Sequence, residues 1–190
     1  MKKRLALLLV LLLLLPAACL GEEERRIVEF DDFCIAVSDR DLLQQGEAVG
    51  LDTLFRLFPD YDEAAASHPN IIAAWVPGIL GELSDEEVLA FCSSIMQAGI
   101  QSLTAEGIAV TNEQLLRAEQ DAKTGAITVL FTLDADVAAL GLDMKMTVCM
   151  GCRYIPFGEK GCCSFTLGCE TVEEAEMLIA YMDEYLTIGE

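Results

Sequence analysis

Two helix-start motifs constrain the fold of this chain more than any other feature of its sequence. Ser84 stands three residues before Glu87, and Thr171 stands three residues before Glu174. In each pair the hydroxyl group can accept a hydrogen bond from the later backbone amide, while the carboxylate accepts one from the earlier amide. Apolar residues follow both motifs at helical spacing. The sequence therefore predicts one helix from about residue 84 to residue 105 and a second helix near the C-terminal end.

The segments around these helices carry strand-type sequence, with alternating or continuous apolar runs bounded by turn residues. Residues 25–38 predict one or two short strands. Further strands are predicted over residues 70–76, 108–120, 126–133, 142–150 and 162–169. Residues 51–58 and 61–67 instead predict short helical pieces, which Pro59 separates because proline cannot continue a helix.

Strands and helices in this order predict a single α+β domain. A sheet with helices packed on it buries the apolar side of every element. No internal repeat and no linker rich in Pro, Gly or Ser divides the chain. We therefore expect residues 27–190 to form one domain.

The order of elements resembles that of the PsbP-like family. Four features carry the resemblance: an opening hairpin at Phe30–Val37, the long helix after Ser84, the hairpin strands from Ile108 to Cys169, and the terminal helix. The resemblance implies an α+β fold in which an antiparallel sheet lies between helical layers, an α/β/α sandwich, over nearly the whole mature chain. It also implies an accessory or binding protein, because members of that family mostly act without catalytic residues of their own.

The N-terminal segment is built like an export signal. Lys2, Lys3 and Arg4 precede an unbroken apolar run over residues 5–15, and small residues follow up to Gly21. This run is too short for a full bilayer span, as is usual in a secretory signal peptide. We therefore assign residues 1–21 to the signal and residues 22–26 to an acidic tether.

Cys19 stands at a candidate lipidation site. Ala17, Ala18 and Cys19 resemble the lipobox of bacterial lipoproteins, although Pro16 stands where that family usually has Leu. The resemblance implies that Cys19 is diacylated and becomes the mature N-terminus. Cleavage near Gly21 with release of the protein and an uncleaved anchor are the alternatives. The protein is thus expected outside the cytoplasm, either as a lipoprotein on the outer face of the cytoplasmic membrane or as a secreted protein.

The charge balance restricts the partners. The chain has 12 basic and 32 acidic residues, and removal of Lys2, Lys3 and Arg4 leaves 9 against 32, a formal charge of −23. Nucleic acid is excluded as a partner, because phosphate binding needs a basic patch. An acidic surface is also repelled by anionic lipid headgroups. Membrane contact is therefore expected through the lipid at the N-terminus.

Five of the seven cysteines beyond Cys19 lie within residues 149–169. If Glu159 and Lys160 form the turn of a hairpin, Cys152 lies opposite Leu167. The predicted inner face then holds Val148, Met150, Cys152, Tyr154, Cys163, Phe165, Leu167 and Cys169. Cys149 and Cys152 point to opposite faces in this arrangement, so they cannot chelate one zinc ion together.

Three interpretations of these thiols are open. Buried free thiols fit the apolar inner face. A disulfide would join Cys152 to Cys169, which are diagonal neighbours in this register. A metal ion would take Cys152, Cys163 and Cys169 as ligands from the shared face. An odd number of thiols is itself unusual in an exported protein, because oxidising compartments tend to pair them.

Catalytic motifs give no support for an enzyme. His68 is the single histidine, and the chain has neither a nucleophile elbow nor a phosphate-binding loop. The sequence therefore predicts a non-catalytic binding or accessory domain that needs no cofactor. A thiol-based redox or metal-binding protein that uses the Cys149–Cys169 hairpin is the alternative. Protein or small-molecule partners are expected at the apolar, glycine-containing loop Pro77, Gly78, Ile79 and Leu80.

Overall fold

The computed structural model describes residues 24–50, 53–78, 81–140 and 144–188. Within them, two helices follow the capping-box motifs: α1 (Asp85–Ala105) and α2 (Val172–Tyr185). The strands are β1 (Arg25–Glu29), β2 (Phe33–Ser38), β3 (Leu42–Gln45), β4 (Phe55–Phe58), β5 (Asn70–Val76), β6 (Ala109–Gln120), β7 (Ile127–Asp136), β8 (Lys145–Pro156), β9 (Cys162–Gly168) and β10 (Leu186–Ile188).

The strands form two antiparallel sheets. The large sheet has seven strands in the order β3-β4-β5-β9-β8-β7-β6, and the small sheet has three in the order β1-β2-β10. Both helices connect elements of these sheets, and β10 follows α2 without an intervening loop. The last strand of the chain thus returns to pair with β2, near the start of the domain.

The large sheet is covered on both faces. On one face, α1 packs over β6 and β7 and buries Val88 and Cys92 against Val129 and Phe131. On the other face, α2 and the small sheet share one layer. They enclose the main core, which includes Phe33, Ile35, Phe55, Phe165, Leu178 and Met182. The predicted α+β fold, an antiparallel sheet within an α/β/α sandwich, is confirmed.

Both capping boxes are present. The Ser84 backbone amide donates a 2.8 Å hydrogen bond to the Glu87 carboxylate, and the Glu87 amide donates a 3.4 Å bond to the Ser84 hydroxyl. Thr171 and Glu174 form the same pair of bonds at the start of α2. The helix starts predicted from these motifs are confirmed.

Two predicted helical pieces are wrong. In place of the pieces predicted over residues 51–58 and 61–67, residues 55–58 are strand β4 and residues 59–69 form a loop. Strand β3 (Leu42–Gln45), for which the sequence predicted no element, pairs with β4. Phe55 and Leu57 both point into the core and are fully buried, while Arg56 between them points to the opposite face. A four-residue strand is too short for its period of two to stand out in the sequence. Its place beside β5 decides its conformation instead.

Beyond its acidic first turn, α1 has no charged residue, which is unusual in so acidic a protein. Among the described residues it is the one helix long and apolar enough to cross a membrane by length and composition, with a mean hydropathy of 1.3 over its most apolar window. No charged residue occurs from Val88 to Ala105. Part of this hydropathy comes from the stripe that packs on the large sheet, which includes Phe91, Ile95, Met96, Ile100 and Leu103.

Candidate functional site

The cysteine-rich hairpin has a register one residue away from the predicted one. Cys152 pairs with Thr166 rather than with Leu167, and Pro156 pairs with Cys162. The connection is a five-residue loop over residues 157–161, closed by a 2.9 Å hydrogen bond from the Phe157 amide to the Gly161 carbonyl. A one-residue shift moves the side chains of one strand to the other face relative to its partner.

Two glycines shape this loop. Gly158 and Gly161 both have positive φ values, +59° and +112°, which L-residues with a side chain rarely adopt. A Cβ atom on Gly161 would also lie 3.2 Å from the Val76 carbonyl oxygen. The loop therefore spans five residues where the sequence pattern predicted a two-residue turn.

The register separates the cysteines that the sequence grouped together. Cys152 packs in the core under α1, whereas Cys163 packs in the core under α2 and the small sheet, and the half-buried Cys169 packs against that second core. The diagonal geometry assumed for a Cys152–Cys169 disulfide and the shared face assumed for a metal site are both absent from this hairpin. Seven free thiols occur in the described residues, and those residues bring together no group of three His, Cys, Asp or Glu side chains that could hold a metal ion.

Burial makes these thiols weak acids. Desolvation raises the pKa of Cys152 to about 11 and the pKa of Cys163 and of Cys169 to about 12. The pKa values of Cys92, Cys149 and Cys162 are raised for the same reason. Reactive and metal-binding cysteines need the thiolate, which a lowered pKa provides. The hairpin thiols therefore have the chemistry of core residues.

A cleft of about 600 Å³ lies between the start of α1 and the end of β6. Its apolar lining includes Leu83, Val88, Ala118 and Ala122, and its acidic lining includes Glu82, Asp85 and Glu119. Carboxylates in the lining of a cleft that also offers apolar surface favour a cationic partner.

Gln120 holds the two walls of this cleft together. Its side-chain oxygen accepts a 3.0 Å hydrogen bond from the Leu83 amide, and its side-chain nitrogen donates to the carbonyls of Gly81 and Gly125 at 3.1 and 3.0 Å. The segment before α1 is therefore fixed to the β6–β7 turn. A fixed wall is the kind of preformed surface that binding sites use.

The loop predicted to bind a partner leads directly to this cleft. Pro77 and Gly78 are exposed, and Gly81 follows at the rim, whereas Ile79 and Leu80 lie outside the described residues. The sequence pointed to the loop through its apolar composition. It gave no sign of the cleft, because β6 reaches the site from about 40 residues further along the chain.

A buried carboxylate stands between β2 and β3. Asp41 accepts hydrogen bonds from the Ser38 amide at 2.7 Å, from the Asp60 amide at 2.9 Å and from the Tyr181 hydroxyl at 2.7 Å. Burial alone would raise the pKa of Asp41, but these hydrogen bonds outweigh burial and lower its pKa. Arg25 adds an ion pair with Asp41 at 3.4 Å. The arrangement ties three segments together and is a structural centre.

Comparison with solved structures finds two proteins of similar fold. The solution structure of the cyanobacterial PsbP (CyanoP) from Synechocystis sp. PCC 6803 has a TM-score of 0.44 and 7% identity, over 90% of this chain and 95% of that chain. The crystal structure of the Saccharomyces cerevisiae Ran-binding protein Mog1p has a TM-score of 0.40 and 12% identity, over 84% of this chain and 85% of that chain. No protein-family model and no curated protein matches the chain. At these identities the similarities concern the fold alone.

Proposed function

We propose that this chain is an exported, lipid-anchored binding or accessory domain that has no catalytic activity of its own. The signal-type segment and Cys19 support the export and the anchor. The cleft between α1 and β6 supports the binding role, and it is the observation on which the proposal depends. The partner presents a positively charged group to Glu82 and Asp85, with an apolar part against Leu83 and Ala118, while Glu119 is already paired with Arg117.

Lipid attachment is tested with two single cysteine variants. Cells that express the full chain are fed an alkyne-labelled fatty acid, and the label on the protein is measured after purification. The wild-type protein is expected to carry the label and to fractionate with membranes. A Cys19→Ser variant should lose both properties, while Cys34→Ser, which changes a half-buried cysteine of β2, should keep them. A mature, unlabelled protein that begins near Gly21 would contradict the anchor.

Partner binding is tested by crosslinking in intact cells. A photoreactive amino acid at Ala122, in the lining of the cleft, is expected to crosslink the protein to a discrete partner. Glu82→Lys should reduce that crosslink strongly, because it places a cation where we expect a carboxylate to meet a cation. Glu106→Lys is the matched control: it makes the same charge change at an exposed residue beyond the other end of α1.

The loop at residues 77–80 has its own test. A variant with Ile79→Ser and Leu80→Ser is expected to lose the crosslink at Ala122 with little change in thermal stability. A large fall in the melting temperature would instead show that these two side chains belong to the core. Equal crosslinking in the wild type, the loop variant and Glu82→Lys would contradict binding at this cleft.

A further inference from the structure

The small sheet has one face in the core and one face turned away from it. Phe33, Ile35 and Val37 of β2 are buried against the large sheet. The intervening residues Cys34 and Ala36 therefore point to the outer face, because successive side chains of a strand alternate. Ile27 pairs with Ala36 on this outer face, and Thr187 pairs with Cys34.

The outer face carries an unusually exposed apolar side chain. Ile27 exposes 58% of its surface, more than any other large apolar residue in the described ranges. Thr187 is also exposed, while Cys34 and Ala36 are half-buried beside them. The centre of this face is uncharged, and the exposed Glu29, which pairs with Cys34, places one carboxylate beside it.

The tether brings this sheet to the membrane. Five residues separate Cys19 from Arg25, the first residue of β1. Even a fully extended chain of that length spans only about 20 Å. Of the two outer layers of the domain, the one with the small sheet therefore attaches directly to the tether, whereas α1 and its cleft lie in the opposite layer.

The attached end of β1 places one basic side chain at the surface. Arg26 is exposed, whereas the Arg25 guanidinium is held within the fold by its ion pair with Asp41 and lies 3.6 Å from the centroid of the Tyr185 ring. Arginine keeps its charge among headgroups while its stem covers apolar surface, so Arg26 suits contact with phospholipid headgroups at this edge of the small sheet.

From this placement we propose that, in the acylated protein, the outer face of the small sheet rests on the phospholipid surface, with Ile27 at the level of the headgroups. The proposal depends on lipid attachment at Cys19. It orients the domain so that the cleft between α1 and β6 faces away from the bilayer, where a partner can reach it.

Tryptophan fluorescence in vesicles tests this orientation. The acylated protein is purified in detergent and reconstituted into phosphatidylcholine vesicles, with and without brominated chains that quench tryptophan emission. Trp75→Phe removes the natural fluorophore, and Ile27→Trp places a new one on the outer face. Leu89→Trp is the control, because Leu89 is 53% exposed on α1 in the opposite layer.

The Ile27→Trp protein is expected to lose much of its emission in brominated vesicles, while the Leu89→Trp protein keeps its emission. Thr187→Trp on β10 should behave like Ile27→Trp. This variant probes the same face if the Ile27→Trp protein fails to fold. Vesicle flotation and the acyl mass are measured on the same samples. Acylated, floating proteins whose emission is quenched equally at the two positions, or at neither, would overturn the orientation and leave the anchor standing. A protein without acyl chains that does not float would overturn both.

Discussion

The hydroxyl group of Tyr181 donates a 2.7 Å hydrogen bond to the carboxylate of Asp41, 140 residues earlier in the chain. The Asp41 side chain is only 1% exposed, so water cannot replace a lost partner easily. Tyr181 also donates to the Ala36 carbonyl at 3.1 Å. This one side chain thus joins α2 to both β2 and the turn that follows it.

Removal of the Tyr181 hydroxyl should destabilise the domain. Tyr181→Phe keeps the ring but leaves a buried carboxylate with one donor fewer, which typically costs about 1–3 kcal/mol. Urea unfolding measures the difference in the free energy of unfolding. Tyr61→Phe is the matched control, because Tyr61 is 37% exposed. It should change that free energy by less than about 0.5 kcal/mol. Equal losses in both variants would contradict a special role for the Tyr181–Asp41 bond.

The same carboxylate predicts a pH dependence. The pKa of Asp41 is lower in the folded state than in an exposed carboxyl group. Its ionised form therefore stabilises the fold above the unfolded-state pKa, and this contribution disappears as the pH falls through the folded-state pKa.

Asp41→Asn removes that titration. The difference in unfolding free energy between the wild type and the variant is expected to be constant near neutral pH and to shrink below about pH 4. Denaturation curves of both proteins, recorded side by side at several pH values, measure this difference in unfolding free energy. A difference that stays constant down to about pH 2, below the usual range of aspartate pKa values, would show that folding does not shift the pKa of Asp41.

Gly151 of β8 is closely packed between the side chains of two leucines. A Cβ atom there would lie 2.8 Å from Leu167 Cδ1 and 3.1 Å from Leu130 Cδ1, and both leucines are buried. Gly151→Ala should therefore lower the free energy of unfolding by about 1–3 kcal/mol. Gly81→Ala is the control, because a Cβ atom at Gly81 meets nothing within 4 Å. A fully stable Gly151→Ala variant would contradict this close packing.

The buried Cys152 and Cys163 and the half-buried Cys169 should resist alkylation while the protein is folded. With pKa values of about 11 for Cys152 and about 12 for Cys163 and Cys169, almost no thiolate is present at neutral pH. We expect iodoacetamide to modify these three only after unfolding, as peptide mass spectrometry would show. Fast modification of one hairpin cysteine in the native protein would favour the thiol-based alternative over a binding domain.

Local sequence signals predicted the parts of the fold that local chemistry decides. The capping boxes at Ser84 and Thr171 indicated both helix starts, and the apolar run of β5 was clear because six consecutive residues, 71–76, carry it. The strands β3 and β4 have four residues each and were missed. Their conformation depends on neighbours across the sheet, which a short sequence window does not contain.

The cleft and the hairpin register were beyond sequence reasoning for related reasons. The register depends on whether the loop after Pro156 has two or five residues, and Gly158 and Gly161 allow either turn. The cleft joins segments that are distant in the chain, at Glu82 and Gln120. Only the loop composition beside it, at Pro77 and Gly78, was visible in the sequence.

Most basic side chains of the mature chain already form ion pairs within it, which weakens the attraction between two copies. All nine basic residues of the mature chain lie in the described ranges, and six of them form ion pairs with carboxylates. Few cations are therefore left to bridge one molecule to the acidic surface of another. Two copies repel each other once their surfaces come within about 8 Å, the screening length at physiological salt. In the proposed lipid-anchored form, such domains would keep their distance from one another and stay laterally dispersed on the membrane.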